Sequence, residues 1–150
     1  NALVHAGASV INEENSITVA KRDLQAFEFD ATNCPDLFPA LAALAAAAEG
    51  ESTIIGTNRL MHKESDRAET IRREYEKLGI SVDISEDNIM KIQGGKILPA
   101  TVFSHNDHRI AMSLAVSALR CEGTVTIENA ECVEKSYPEF FEDLESIIRR

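Results

Sequence analysis

The sequence predicts a mixed α/β fold, of α+β type, made of a repeated β-α-β-α-β-β unit with its helices stacked and its sheets outside. Three observations predict it. Short apolar runs alternate with longer stretches in which apolar residues recur every three or four positions. Glycine follows the helical stretches at Gly50 and Gly79, where a helix C-terminus favours it. The chain also repeats itself. Gly7-Ala8-Ser9-Val10 returns as Gly79-Ile80-Ser81-Val82. At nearly the same spacing Asp36 recurs as Asp107, Ala40 as Ala111, Glu49-Gly50 as Glu122-Gly123 and Lys63 as Lys135. Anchors that keep their order, with like elements between them, indicate a duplicated supersecondary unit.

The elements follow in order. Residues 8–11 and 16–19 read as a hairpin that closes a preceding unit, spanning 1–20. A complete unit, 26–92, then has a strand at 27–30, an Ala-rich helix at 37–48 capped by Cys34-Pro35-Asp36, and a strand at 52–55. A second helix, 64–78, is apolar at Ala68, Ile71, Tyr75 and Leu78, and a hairpin joins 81–84 to 89–92. The second copy, 100–150, repeats strand, helix, strand and helix at 101–103, 107–120, 124–128 and 138–148, and lacks its final hairpin. Residue 1 is Asn, and a stacked array leaves uncovered end faces, so the chain reads as one partial domain of a longer protein.

The bulk composition narrows the function. With 150 residues, 44% of them hydrophobic, the chain can bury roughly 68 to 70% of its unfolded surface. No apolar run reaches the ~18 residues of a membrane span, and no signal-peptide pattern is visible. A net charge of −10 without a Lys/Arg stripe argues against nucleic acid as a partner. Three cysteines, without C-x-x-C spacing, support neither a disulfide framework nor a zinc site and fit a reducing cytoplasm.

Charge gathers at expected helix starts: Lys63-Glu64-Ser65-Asp66-Arg67, Asn106-Asp107-His108-Arg109 and Lys135-Ser136-Tyr137-Pro138. Acidic residues there serve the helix dipole, and Asp36 and Asp107 read first as N-caps. Lys63 and Arg67 are cations at the end the dipole disfavours, by about 0.3 to 1 kcal/mol each, and a bound anion would reverse that sign. Equivalent positions of stacked units share a face, so Asp36, Lys63, Asp107 and Lys135 are expected on one side, with Arg67, Arg109 and Lys135 converging. His105-x-x-His108 lacks a further ligand set and is not read as a metal site. Gly94-Gly95-Lys96 lacks a phosphate-loop frame and reads as a turn.

In order and spacing, Pro35-Asp36 and these three clusters resemble the 5-enolpyruvylshikimate-3-phosphate synthases (3-phosphoshikimate 1-carboxyvinyltransferases), from about Gly7 to the end. The resemblance implies a two-domain enzyme, each domain built from three such units, of which this chain is about two-thirds of the C-terminal-side domain. It implies transfer of the enolpyruvyl group of phosphoenolpyruvate to the 5-hydroxyl of shikimate 3-phosphate, with release of phosphate, in the shikimate pathway to chorismate and the aromatic amino acids. No metal or organic cofactor is implied, and the full-length enzyme is expected to be a monomer. Carried over by position, Arg67, Arg109 and Lys135 resemble a clamp on phosphoenolpyruvate, and Asp36 and Lys63 resemble contacts to shikimate 3-phosphate. Glu64 resembles the acid that protonates the phosphoenolpyruvate methylene, Asp36 the group accepting the 5-hydroxyl proton, and Lys63 stands with them in the catalytic set. His108 lies beside the site with no role assigned. Arg59 stands where some members carry an Asn that contacts shikimate 3-phosphate. Two alternatives remain at this point, a UDP-N-acetylglucosamine enolpyruvyl transferase and a non-catalytic anion-binding module. The module would have no need of Asp36 and Glu64 together.

Overall fold

Strands and helices alternate along the chain because the side-chain period alternates between two and about 3.6 residues. The computed structural model describes residues 1–20, 22–61 and 66–148. A short helix α1 (Ala2–His5) precedes β1 (Ser9–Glu13) and β2 (Ser16–Ala20). The first full run is β3 (Glu28–Asp30), α2 (Phe38–Ala47), β4 (Glu51–Ile55), α3 (Arg67–Lys77), β5 (Ser81–Asp83) and β6 (Ile89–Gln93). The second is β7 (Ala100–Phe103), α4 (His108–Ala118), β8 (Val125–Glu128) and α5 (Phe140–Ile148).

The described strands form three sheets, β1-β2, β3-β4-β6-β5 and β7-β8. Within each run a helix carries the chain back to a parallel neighbour, α2 from β3 to β4 and α4 from β7 to β8. The duplication survives in the pairing register. Glu28 lies opposite Thr53 and Thr101 lies opposite Thr126, so both partners of the pair advance along the chain by the same amount from one copy to the next. In the hairpins Ser9 faces Ala20 and Ser81 faces Gln93, the second connection being longer by a single position.

Helices α2, α3 and α4 pack on one another and against the sheets, around Phe38, Leu41, Ile54, Ile71, Tyr75, Leu78, Met90, Ile92, Ile110 and Leu114, all 3% exposed or less. Helix α2 reads Phe-Pro-Ala-Leu-Ala-Ala-Leu-Ala-Ala-Ala and is buried nearly all round, its small side chains allowing close backbone approach. Gly94 exploits this. A Cβ there would stand 1.8 Å from the Ala48 carbonyl oxygen, and the Gly95 amide donates to Ala46 O at 3.1 Å, satisfying a carbonyl at the helix end. The Gly94-Gly95 turn is therefore a packing device.

Three helix starts differ from expectation. Helix α2 begins at Phe38, after a 3-10 turn Pro35–Leu37, and Asp36 makes no side-chain cap. Helix α3 begins at Arg67 because Asp66 is its N-cap, accepting from the Glu69 amide at 3.3 Å. Lys135 does not open a helix. It ends the 3-10 turn Ala130–Lys135, after which Ser136 (φ −141°, ψ −23°) leaves the helical path and α5 starts at Phe140.

Candidate active site

The parallel pairs β3-β4 and β7-β8 release their chain at the carboxyl ends of the strands, into the turns that lead to α2 and α4. Asp36 and Asp107 lie in those turns, and Arg67, the first residue of α3, reaches both. Its Nη1 donates to Asp36 Oδ1 at 2.9 Å. Its Nε donates to Asp107 Oδ2 at 2.8 Å and its Nη2 to Asp107 Oδ1 at 3.4 Å, a forked contact that matches the planar guanidinium. Arg109, in the first turn of α4, approaches Asp36 Oδ2 at 3.4 Å. Asp107 also caps α4, accepting from the Arg109 amide at 3.0 Å.

Burial separates these groups. The Arg67 and Asp107 side chains are fully buried, whereas Asp36 is 48% and Arg109 39% exposed. The unfavourable helix-dipole position of Arg67 is thus compensated by carboxylates of the chain itself, and no bound anion is needed to explain it. The apolar stripe of α3 contained the clue. Arg67 and Glu74 fall on the face of Ile71, Tyr75 and Leu78, and buried charges must be paired.

Glu74 is the second buried charge on that face. Its Oε2 accepts from the Phe103 amide at 2.9 Å and from Lys77 Nζ at 2.7 Å, and its Oε1 lies 2.9 Å from His105 Nε2. Burial, the largest single influence, pushes its pKa up. The bonds from His105, Lys77 and Phe103 together outweigh it, so the carboxyl sits below its ordinary value. Sequence reading passed over Glu74, and it took Asp107 for a cap alone.

The turn that carries Asp107 is strained. His105 and Asn106 have φ of 53° and 58°, left-handed values that cost non-glycine residues about 1 to 3 kcal/mol each. Contacts hold them there. Ser104 Oγ donates toward Asn129, and Lys135 Nζ donates to Asn106 O at 2.9 Å and to Asn106 Oδ1 at 2.6 Å. Lys135 therefore joins the cluster from the turn after β8, without being at a helix start.

The structure brings together Asp36, Arg67, Arg109 and, through Asn106, Lys135. Lys63 and Glu64 lie outside the described residues. His108 sits in the first turn of α4 with a buried Nδ1 that has no hydrogen-bond partner among the described residues. Arg59 is exposed at the end of the 3-10 turn Thr57–Arg59 and forms no ion pair with the described residues. A groove of about 280 Å³ between α2 and α4 opens beside Asp36 and Arg109. A larger cavity, about 570 Å³, lies at the opposite end of α2 by Arg22, Lys96 and Arg120, and none of the expected site residues lines it.

The EPSP synthase (3-phosphoshikimate 1-carboxyvinyltransferase) family model matches residues 1–144. The chain belongs to the EPSP synthase family. A 3-phosphoshikimate 1-carboxyvinyltransferase of Clostridium perfringens is 43% identical over 143 residues, covering 94% of this chain and 34% of that protein. The EPSP synthase of Acinetobacter baumannii superposes with a TM-score of 0.83 at 32% identity, covering 97% of this chain and 37% of that one. The enolpyruvyl transferase NikO of Streptomyces tendae superposes at 0.74 with 26% identity, over 96% of this chain and 33% of NikO. This member of the EPSP synthase family spans about a third of the length of the curated relatives it matches. No described helix is long and apolar enough to cross a membrane.

Proposed function

We propose that the chain is part of a 3-phosphoshikimate 1-carboxyvinyltransferase, which moves the enolpyruvyl group from phosphoenolpyruvate to the 5-hydroxyl of shikimate 3-phosphate and releases phosphate. The observation that carries the reading is the convergence of Asp36, Arg67 and Arg109, with Lys135 bonded to Asn106 of the adjoining turn, in a chain of the EPSP synthase family. A half-exposed carboxylate next to cations suits a hydroxyl-bearing anionic substrate. We assign Arg67, Arg109 and Lys135 to the phosphoenolpyruvate clamp, and Asp36 and Lys63 to shikimate 3-phosphate. Glu64 is the proton donor to the methylene carbon, and Asp36 accepts the 5-hydroxyl proton.

The assignment has a mechanistic consequence. Arg67 and Arg109 both engage Asp36, so an arriving phosphoenolpyruvate competes with Asp36 for them. Drawing the guanidiniums toward the substrate leaves Asp36 a stronger base when the acceptor hydroxyl arrives. The chain then corresponds to units 1–20, 26–92 and 100–150 of a larger cytoplasmic monomer, and the rest of that polypeptide supplies the other substrate contacts.

In the full-length protein, phosphate release should require both phosphoenolpyruvate and shikimate 3-phosphate. Glu64→Gln should lower kcat by about 10² to 10⁴-fold, with smaller changes in KM. Turnover of a UDP-sugar in place of shikimate 3-phosphate would overturn the substrate assignment. A kcat within about twofold of the parent would overturn the role of Glu64.

A further inference from the structure

Glu74 stands two helical turns into α3, away from the ion pairs of Asp36, and among the described residues touches no group assigned to substrate. What it touches is the backbone that places those groups. Strand β7 is bonded to β8 along one edge, and Glu74 Oε2 receives the Phe103 amide at the end of that strand. The other oxygen holds His105, the first of the two left-handed residues. The Phe103 and His105 rings meet edge to face at 5.0 Å, closing the contact from the side. The next residues are Asn106, which receives Lys135 on two oxygens, and Asp107, which receives Arg67. A fully buried carboxylate is costly to keep, and its three bonds go to Lys77 and to this turn.

We propose that Glu74 is a positioning residue: through Phe103 and His105 it holds the turn 104–107 in its left-handed form, and so sets where Lys135 presents its charge. The proposal rests on the reading of Lys135 as part of the phosphoenolpyruvate clamp. Glu74→Gln keeps the shape and removes the charge, so the three donors are no longer all satisfied. Lys135, bonded to the turn through Asn106, should feel the loss first.

The test is a kinetic cycle in the full-length protein. Glu74→Gln should raise KM for phosphoenolpyruvate about tenfold while kcat and KM for shikimate 3-phosphate change less than about twofold. In a Lys135→Met background the same substitution should change that KM by less than about twofold, because the route it acts through is gone. General loosening of the fold would instead multiply through both backgrounds. Lys77→Met, which removes the solvent-side partner of Glu74, should leave KM within about twofold of the parent. A Glu74→Gln protein with unchanged KM, or one whose effect persists undiminished in Lys135→Met, overturns the proposal. Should Glu74→Gln fail to fold, His105→Ala carries the same cycle with an expected change of about threefold. If the parent does not turn over phosphoenolpyruvate and shikimate 3-phosphate, the functional reading has failed, and a crystal structure of Glu74→Gln decides the positioning claim. His105 and Asn106 leaving positive φ would support it. An unchanged turn, with Lys135 still on Asn106, would overturn it.

Discussion

Asp36 and Asp107 occupy equivalent places in the two copies of the unit, and the fold uses them differently. The turn before Asp36 is held locally. Cys34 N bonds to Ala31 O, Leu37 N to Cys34 O and Thr32 N to Asp30 Oδ1, and no residue from 31 to 35 has positive φ. The turn before Asp107 is strained and is held from outside, by Glu74 of α3, by Asn129 after β8 and by Lys135. Asp107 ends fully buried on Arg67, and Asp36 ends half-exposed with Arg109 beside it. A duplicated position can therefore supply a structural anchor in one copy and a half-exposed group facing a groove in the other, because the copies meet different neighbours.

The sharpest way to break this comparison is to remove each carboxylate in turn. Asp107→Ala leaves the buried Arg67 without its forked partner and uncaps α4, and should cost about 3 to 5 kcal/mol. Asp36→Ala leaves Arg67 with Asp107 and should cost no more than about 1 kcal/mol. Urea unfolding of the two variants measures the difference, and equal losses would erase the distinction.

A second test sharpens the claim that α3 holds the outer turn. The pKa of Glu74 is below its ordinary 4.5, so its contribution to stability is present above that value and disappears as pH falls through the folded value. Unfolding midpoints recorded downward from pH 5 should therefore fall more steeply in the parent than in Glu74→Gln. Parallel curves would mean that Glu74 is not held ionised by the turn.

The smallest expected effect concerns the next residue on α3, which faces α4. The Tyr75 hydroxyl lies 3.0 Å from Ser117 Oγ, and burial pushes its pKa up to about 12. Its neutral form is favoured in the fold, so that contribution is complete below the unfolded value of 10.0 and is lost as pH rises from there toward 12. Tyr75→Phe should flatten this alkaline loss and cost about 1 kcal/mol at neutral pH through the lost hydrogen bond. An equally steep decline in the variant would assign the alkaline loss to other groups.

The repeat, the order of strands and helices and the three charged clusters were legible in the sequence, because they rest on local periods and on residues near one another along the chain. Helix starts were legible only to within a few residues. Asp66 took the cap of α3, and a non-helical Ser136 separated Lys135 from α5. Asp36 read as a cap because its neighbours along the chain favour one. Its actual partners stand far along the chain, Arg67 on α3 and Arg109 on α4 of the other copy. Glu74 was hidden for the same reason: a glutamate on a charged helix looks solvated until strand β7, from the other copy, covers it. Local propensity and spacing determined which elements form and what chemistry they carry. Tertiary packing decided which charges leave water, and so which carboxylate anchors the fold and which one faces the groove.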